Sequence, residues 1–136
     1  MQKYQKFLKD TNIKIFIKYD GERTKNYYTV KVFDKKETSD NWGHDTDNPE
    51  KLLDEILSDL KCDCKEEVNG IIFKAFQQIE KKIRLRAGNE SVISFLIDYV
   101  KGDALFTLFL KKKGKFINYS NNNLREIIEE SKRIVI

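Results

Sequence analysis

The spacing of apolar residues changes period several times along the chain, and each change predicts an element. Ile13, Ile15, Ile17 and Tyr19 alternate with Lys14, Phe16 and Lys18, the two-residue period of a strand. Tyr28, Val30 and Val32 resume that period after Asp20-Gly21, where glycine would supply the positive φ of a tight reversal. The two runs read as a β-hairpin, and residues 42–46 as a brief third strand. From Pro49 the period lengthens. Leu52, Leu53, Ile56, Leu57 and Leu60 recur at helical spacing, behind a proline whose fixed φ suits a first helical turn. Asp47 or Asn48 is the expected cap, and Asp47 and Glu50 are spaced for a capping box.

Val68, Ile71, Ile72, Ala75, Phe76, Ile79 and Ile83 form a second, longer helical stripe, with Gly88 as its left-handed cap. Residues 91–100 fit two readings. Ile93, Phe95, Ile97 and Tyr99 alternate as in a strand, whereas Val92, Phe95, Leu96 and Tyr99 would share a helix face. The β-branched and aromatic content favours the strand. Residues 104–110 and 115–119 make a second hairpin around Lys113-Gly114. Asn121 or Asn122 caps a last helix carrying Leu124, Ile127 and Ile128. At the start, Tyr4, Phe7 and Leu8 sit among lysines, so residues 3–11 suit either a short amphipathic turn or a loose basic arm. At the end, residues 134–136 are apolar and need to be tucked in or paired with a second copy, so a homodimer stays open.

The order β-β-(β)-α-α-β-β-β-α groups strands and helices in runs, which favours an α+β fold. The expectation is a single domain over residues 1–136: one layer of mainly antiparallel sheet, built from two hairpins and packed against about three helices. A length of 136 residues, with nine Phe and six Tyr, gives this layer enough material for a core. No apolar run approaches the ~20 residues of a membrane helix, and the first residues lack the apolar stretch of a signal peptide. A soluble cytoplasmic protein is therefore expected, with no membrane partner. Cys62 and Cys64 suit reduced loop thiols, exposed or half-buried, and no role is assigned to them.

Charge alters the picture more than any motif. Residues 34–67 hold twelve acidic residues against five lysines, a net of −7, while the rest of the chain carries 21 basic and 10 acidic residues, a net of +11. Such asymmetry points to one negative and one positive surface. Trp42, Asp45, Asp47, Asp54, Glu55 and Asp59 are the candidate contacts for a protein partner with a basic surface. Lys111, Lys112, Lys113 and Lys115, near Phe109, Phe116 and Tyr119, are the candidate contacts for a nucleic acid. That role is less favoured, because the chain is rich in lysine rather than in arginine with its planar fork.

Catalytic motifs are missing. Neither Gly-x-Gly-x-x-Gly, nor a phosphate-binding Gly-x-x-x-x-Gly-Lys, nor Gly-x-Ser-x-Gly, nor His-Glu-x-x-His occurs. The single histidine, His44, could join Asp45 and Asp47 in a metal or acid–base cluster, but capping and turn chemistry explain those residue types without a reaction. Cys62 and Cys64 lack the further ligands of a closed zinc site. The sequence thus favours a non-catalytic inhibitor of bacterial or phage type, such as an immunity protein or antitoxin, with no cofactor. A small metal-dependent nuclease or hydrolase and an RNA-binding module are the alternatives.

Overall fold

The computed structural model describes residues 2–35 and 41–134. Its α+β fold combines four helices of eight or more residues with a six-stranded antiparallel sheet. The element order is α1 (Lys3–Thr11), β1 (Ile13–Asp20), β2 (Tyr28–Asp34), β3 (Asn41–Thr46), α2 (Pro49–Asp59), α3 (Lys65–Glu67), a π-helical segment (Val68–Phe73), α4 (Lys74–Ala87), β4 (Val92–Val100), β5 (Asp103–Lys112), β6 (Lys115–Asn121) and α5 (Leu124–Ser131).

Two three-stranded meanders make the sheet, in the order β3-β2-β1-β4-β5-β6. They join where β1 runs antiparallel to β4, with Ile17 opposite Phe95. Because side chains alternate across a strand, this register gives the sheet two different faces. Ile13, Ile15, Ile17, Val30, Val32, Ile93, Phe95, Ile97, Phe106 and Leu108 all enter one hydrophobic core with the buried sides of the helices. Lys14, Phe16, Lys18, Lys31, Phe33, Leu105, Phe109 and Phe116 fall on the opposite face at the intervening positions. All the helices serve the first face.

Residues 91–100 are a strand, as their composition favoured. The mixed pattern has a physical cause: β4 lies in the middle of the sheet, so its second face is also partly covered and carries Val92 and Leu96. Of the two readings of residues 3–11, the amphipathic one holds, and the element is a full helix with Tyr4, Phe7 and Leu8 buried. Asn12 ends it at φ 54, returning its N–H to the Leu8 carbonyl at 3.0 Å, and β1 starts at the next residue. The first turn of α1 is tied down by Tyr4 N–H, which donates to Glu67 Oε1 at 2.9 Å.

Several local expectations are corrected. Asn48 occupies the cap position of α2, but its side chain makes no capping bond. Asp47 does not cap either; its Oδ1 accepts from the Tyr27 N–H at 3.0 Å, closing the end of the β1–β2 hairpin instead. The cap of α5 is Asn123, which accepts from Arg125 N–H at 2.9 Å, one residue beyond the expected pair. Gly88 does have a positive φ of 90, but with ψ 166 it is extended rather than left-handed helical. The long stripe from Val68 is not one regular helix: its first six residues are π-helical. Gly21 is absent from the positive-φ positions, and Asn26, at φ 49, makes the left-handed step of that turn. Lys113 and Gly114, at φ 50 and 79, form the two-residue reversal expected between β5 and β6. Of residues 134–136, Ile134 is buried, and the last two lie outside the described residues.

Candidate functional site

The sequence-nominated acids do not gather in one place. Along β3, His44 lies opposite Val30 on the helix side of the sheet, and Asp45 lies opposite Thr29 on the other side. Strand alternation therefore separates the histidine from its neighbouring carboxylate. Asp45 is occupied by Thr29 Oγ1 at 2.6 Å and by Arg23 Nη1 at 3.2 Å. The Thr29 hydrogen bond, helped by Arg23, holds its carboxyl below the usual range. His44 Nδ1 lies 2.8 Å from the carbonyl oxygen of Asp45, a backbone contact. Among the described residues, no group of three or more His, Cys, Asp or Glu could hold a metal ion. Trp42 is half-buried and packs against the core, so it is no free anchor.

Asp47 and Asp54, by contrast, reach a common feature. A groove of about 670 Å³ runs between α2 and the π–α4 segment, lined by Asp47, Pro49, Glu50 and Asp54 on one side and by Asn69, Gln77 and Glu80 on the other. Tyr28 and Phe73 supply its aromatic surface, and Lys51 is its one basic lining residue. The first two turns of α2 project Glu50 and Asp54 into it because they are four residues apart on one helix flank. Glu55 and Asp59 are exposed on a different flank of α2 and do not line this groove.

Each groove carboxylate has a different degree of freedom. Glu80 is buried and fixed, receiving Tyr28 Oη at 2.5 Å and Arg84 Nη1 at 2.8 Å. Asp54 accepts from Asn69 Nδ2 at 3.3 Å and lies 3.7 Å from Lys65 Nζ, an exposed pair of small energetic weight. The Oδ1 of Asn69 is buried without a hydrogen-bond partner among the described residues. Glu50 forms no ion pair among the described residues. Arg84 answers Glu80, and Lys65 and Lys51 lie near the others, yet Asp47, Glu50 and the exposed Asp54 beside two aromatic rings suit a long cationic side chain whose apolar stem lies on the rings while its head meets the acids.

Phe73, Asn69 and Glu80 escaped the sequence reading because they come from the π segment and α4. One local signal did exist: Glu80 and Arg84 are four apart on a helix, the spacing of an ion pair. The nominated lysines Lys111, Lys112, Lys113 and Lys115 flank the β5–β6 reversal, with Lys112 opposite Lys115. Among the described residues only Lys111 of these has an acidic neighbour, Glu22 at 3.8 Å.

Cys62 and Cys64 are both buried, not exposed or half-buried loop thiols as expected. Their Sγ atoms lie 2.9 Å apart, and burial, then the Cys62 contact, pushes the Cys64 thiol up to about 12 from an ordinary value of 9.0. Burial raises Tyr4, Tyr19 and Tyr28 as well, and Tyr28 is raised furthest because its proton is held by Glu80. Folding thus raises all four values, so the stability they confer is complete below pH 9 and is lost as pH climbs towards the folded values. Above that point the unfolded chain has released protons that the native state still holds, and the slope is negative. Denaturant midpoints should be flat from about pH 7 to 8.5 and fall by pH 10.5, less steeply in Tyr28→Phe. A midpoint unchanged at the higher pH contradicts this assignment.

No helix among the described residues is long and apolar enough to cross a membrane. No protein-family model matches the chain, and no curated protein or solved structure matches it at a significant level.

Proposed function

We propose that this is a non-catalytic protein-binding protein, an inhibitor of the immunity-protein or antitoxin type that acts in the cytoplasm of a bacterium or a phage-infected cell. It binds a basic protein through the carboxylate groove between α2 and α4. The observation that carries the reading is the convergence of Asp47, Glu50, Asp54 and Glu80 on one concavity with aromatic walls. An arginine or lysine of the partner enters the groove, stacks its stem on Tyr28 and Phe73, and pairs with Glu50 and Asp54. The wider negative surface steers the encounter and disfavours acidic competitors. Glu55 and Asp59 belong to that outer field, so removing them slows association more than it weakens the complex.

The test is capture from the source cell on the tagged protein, nuclease-treated and washed at high salt, with bound proteins identified by mass. The expected result is one stoichiometric basic protein, retained by Glu55→Lys/Asp59→Lys and lost by Glu50→Lys/Asp54→Lys, with circular dichroism confirming that both variants fold. Retention by the groove variant, or the absence of any such protein, overturns the proposal.

A further inference from the structure

The sheet face opposite the helices has its own built surface. A second groove, of about 530 Å³, crosses it between Phe16, Phe109 and Phe116, with Lys18 and Lys111 among its lining residues. Phe116 is 73% exposed and Phe109 40%, the most exposed phenylalanines among the described residues. They are diagonal neighbours, since Phe109 pairs with Asn118 and Phe116 with Lys111, and such neighbours are close enough to form one platform. Ser94 pairs with both Lys18 and Phe109, so polar groups lie between the rings.

The charges of this face do not cancel. Its carboxylates are engaged: Asp20 with Lys18 and Arg23, Asp45 with Arg23, Asp98 with Lys35, and Glu22 with Lys111. Lys31, opposite Phe16, has no acidic partner among the described residues. Nor, among them, has Lys14, whose Nζ sits 5.6 Å over the Phe33 ring. Lys112, Lys113 and Lys115, without acidic partners among the described residues, add charge at the hairpin tip that borders the groove. A second copy docked face to face would set these lysines against one another.

The geometry points to a single-stranded nucleic acid as the occupant, with bases stacked on Phe109 and Phe116 and the phosphates led over Lys112, Lys113 and Lys115. Aromatic platforms beside cationic tracks are the general solution for single strands, because every base offers a π face. Asn118 and Ser94 give base edges donors and acceptors between the rings, which an anionic lipid surface would not need.

Fluorescence anisotropy with a labelled oligouridine of about twelve nucleotides tests this on the full chain. Affinity should fall with salt as several phosphates release counterions, and a duplex should bind more weakly. Phe109→Ala/Phe116→Ala should weaken binding about tenfold or more with the salt slope unchanged. Lys112→Glu/Lys113→Glu should flatten the slope. Glu50→Lys/Asp54→Lys, on the opposite side of the molecule, should leave binding no weaker, which separates this surface from the acidic groove. No binding at low salt overturns the inference. So does equal binding by the phenylalanine variant, or equal competition by polyglutamate or by phosphatidylglycerol vesicles.

Discussion

Phe76→Ala is expected to destabilise the protein by about 3–5 kcal/mol, the usual range for removing a fully buried aromatic side chain. Phe76 is 0% exposed on the inner side of α4. Its ring meets Tyr28 edge-on at 6.3 Å and Phe73 at 6.1 Å, so it joins α4 to β2 beneath the acidic groove. Alanine there loses the transfer energy of the ring and leaves a cavity that the close-packed surroundings, Tyr28 and Phe73 among them, cannot close without moving. Phe76→Leu should lose clearly less, because it refills most of the space. Guanidinium titrations read both values, and an unchanged slope shows that the two-state treatment holds. A loss below about 1 kcal/mol would mean that Phe76 does not hold α4 on the sheet. The same variant should weaken partner capture through the groove, since Tyr28 would lose its backing while Glu50 and Asp54 remain.

That prediction rests on features of unequal legibility. The stripe containing Phe76 is plain in the sequence, because helical burial needs only neighbours three and four residues away. Its contact with Tyr28, 48 positions earlier, is set by how the chain returns from β3 to β4, and no local pattern encodes that. The same division runs through the molecule. The alternation of β1 and β2 was legible because Lys14, Lys18 and Lys31 stand at positions facing away from the core. In β4 it blurred, since Val92 and Leu96 stand at the corresponding positions. Helix α1 was half-legible: Tyr4, Phe7 and Leu8 have the right spacing, but lysines around them dilute a signal only nine residues long. The burial of Cys62 and Cys64 was not legible at all, because they lie in a turn between helices and local polarity suggested exposure. At the candidate site, Asp47 and Asp54 were nominated from charge alone. Asp45, Glu55 and Asp59 were nominated on the same ground, and the groove is lined by none of them. Charge density names a neighbourhood, whereas the direction of a side chain is fixed by strand alternation and helix phase.

Gly21 shows the same limit, and it carries the other large expected effect. Sequence reasoning assigned this glycine to a turn needing positive φ, yet its φ is not positive and its role is close approach. A β-carbon built on Gly21 would lie 1.7 Å from the carbonyl oxygen of Asn89 and 2.9 Å from that of Ser91. Both atoms belong to backbone, which cannot rotate away as a side-chain tip could. The contact is also functional for the fold: Gly21 N–H donates to Ser91 O at 3.0 Å, and Tyr19 Oη donates to Asn89 O at 2.7 Å. Together these bonds fasten the β1–β2 hairpin to the loop between α4 and β4. Gly21→Ala must push that loop outward and stretch both bonds, so the expected loss is about 3 kcal/mol, at the upper end of overpacking. In a chain of this size that lowers Tm by roughly 10 °C. Gly70 is the internal comparison, because a β-carbon there meets nothing within 4 Å and its φ is not left-handed. Gly70→Ala removes the same freedom from the unfolded chain without a clash, and should be neutral or stabilising by up to about 1 kcal/mol. If the two alanine variants melted together, the approach of Gly21 to the Asn89 backbone would not be what requires glycine. A gap of the expected sign would locate the constraint at the junction of the hairpin with the α4–β4 loop.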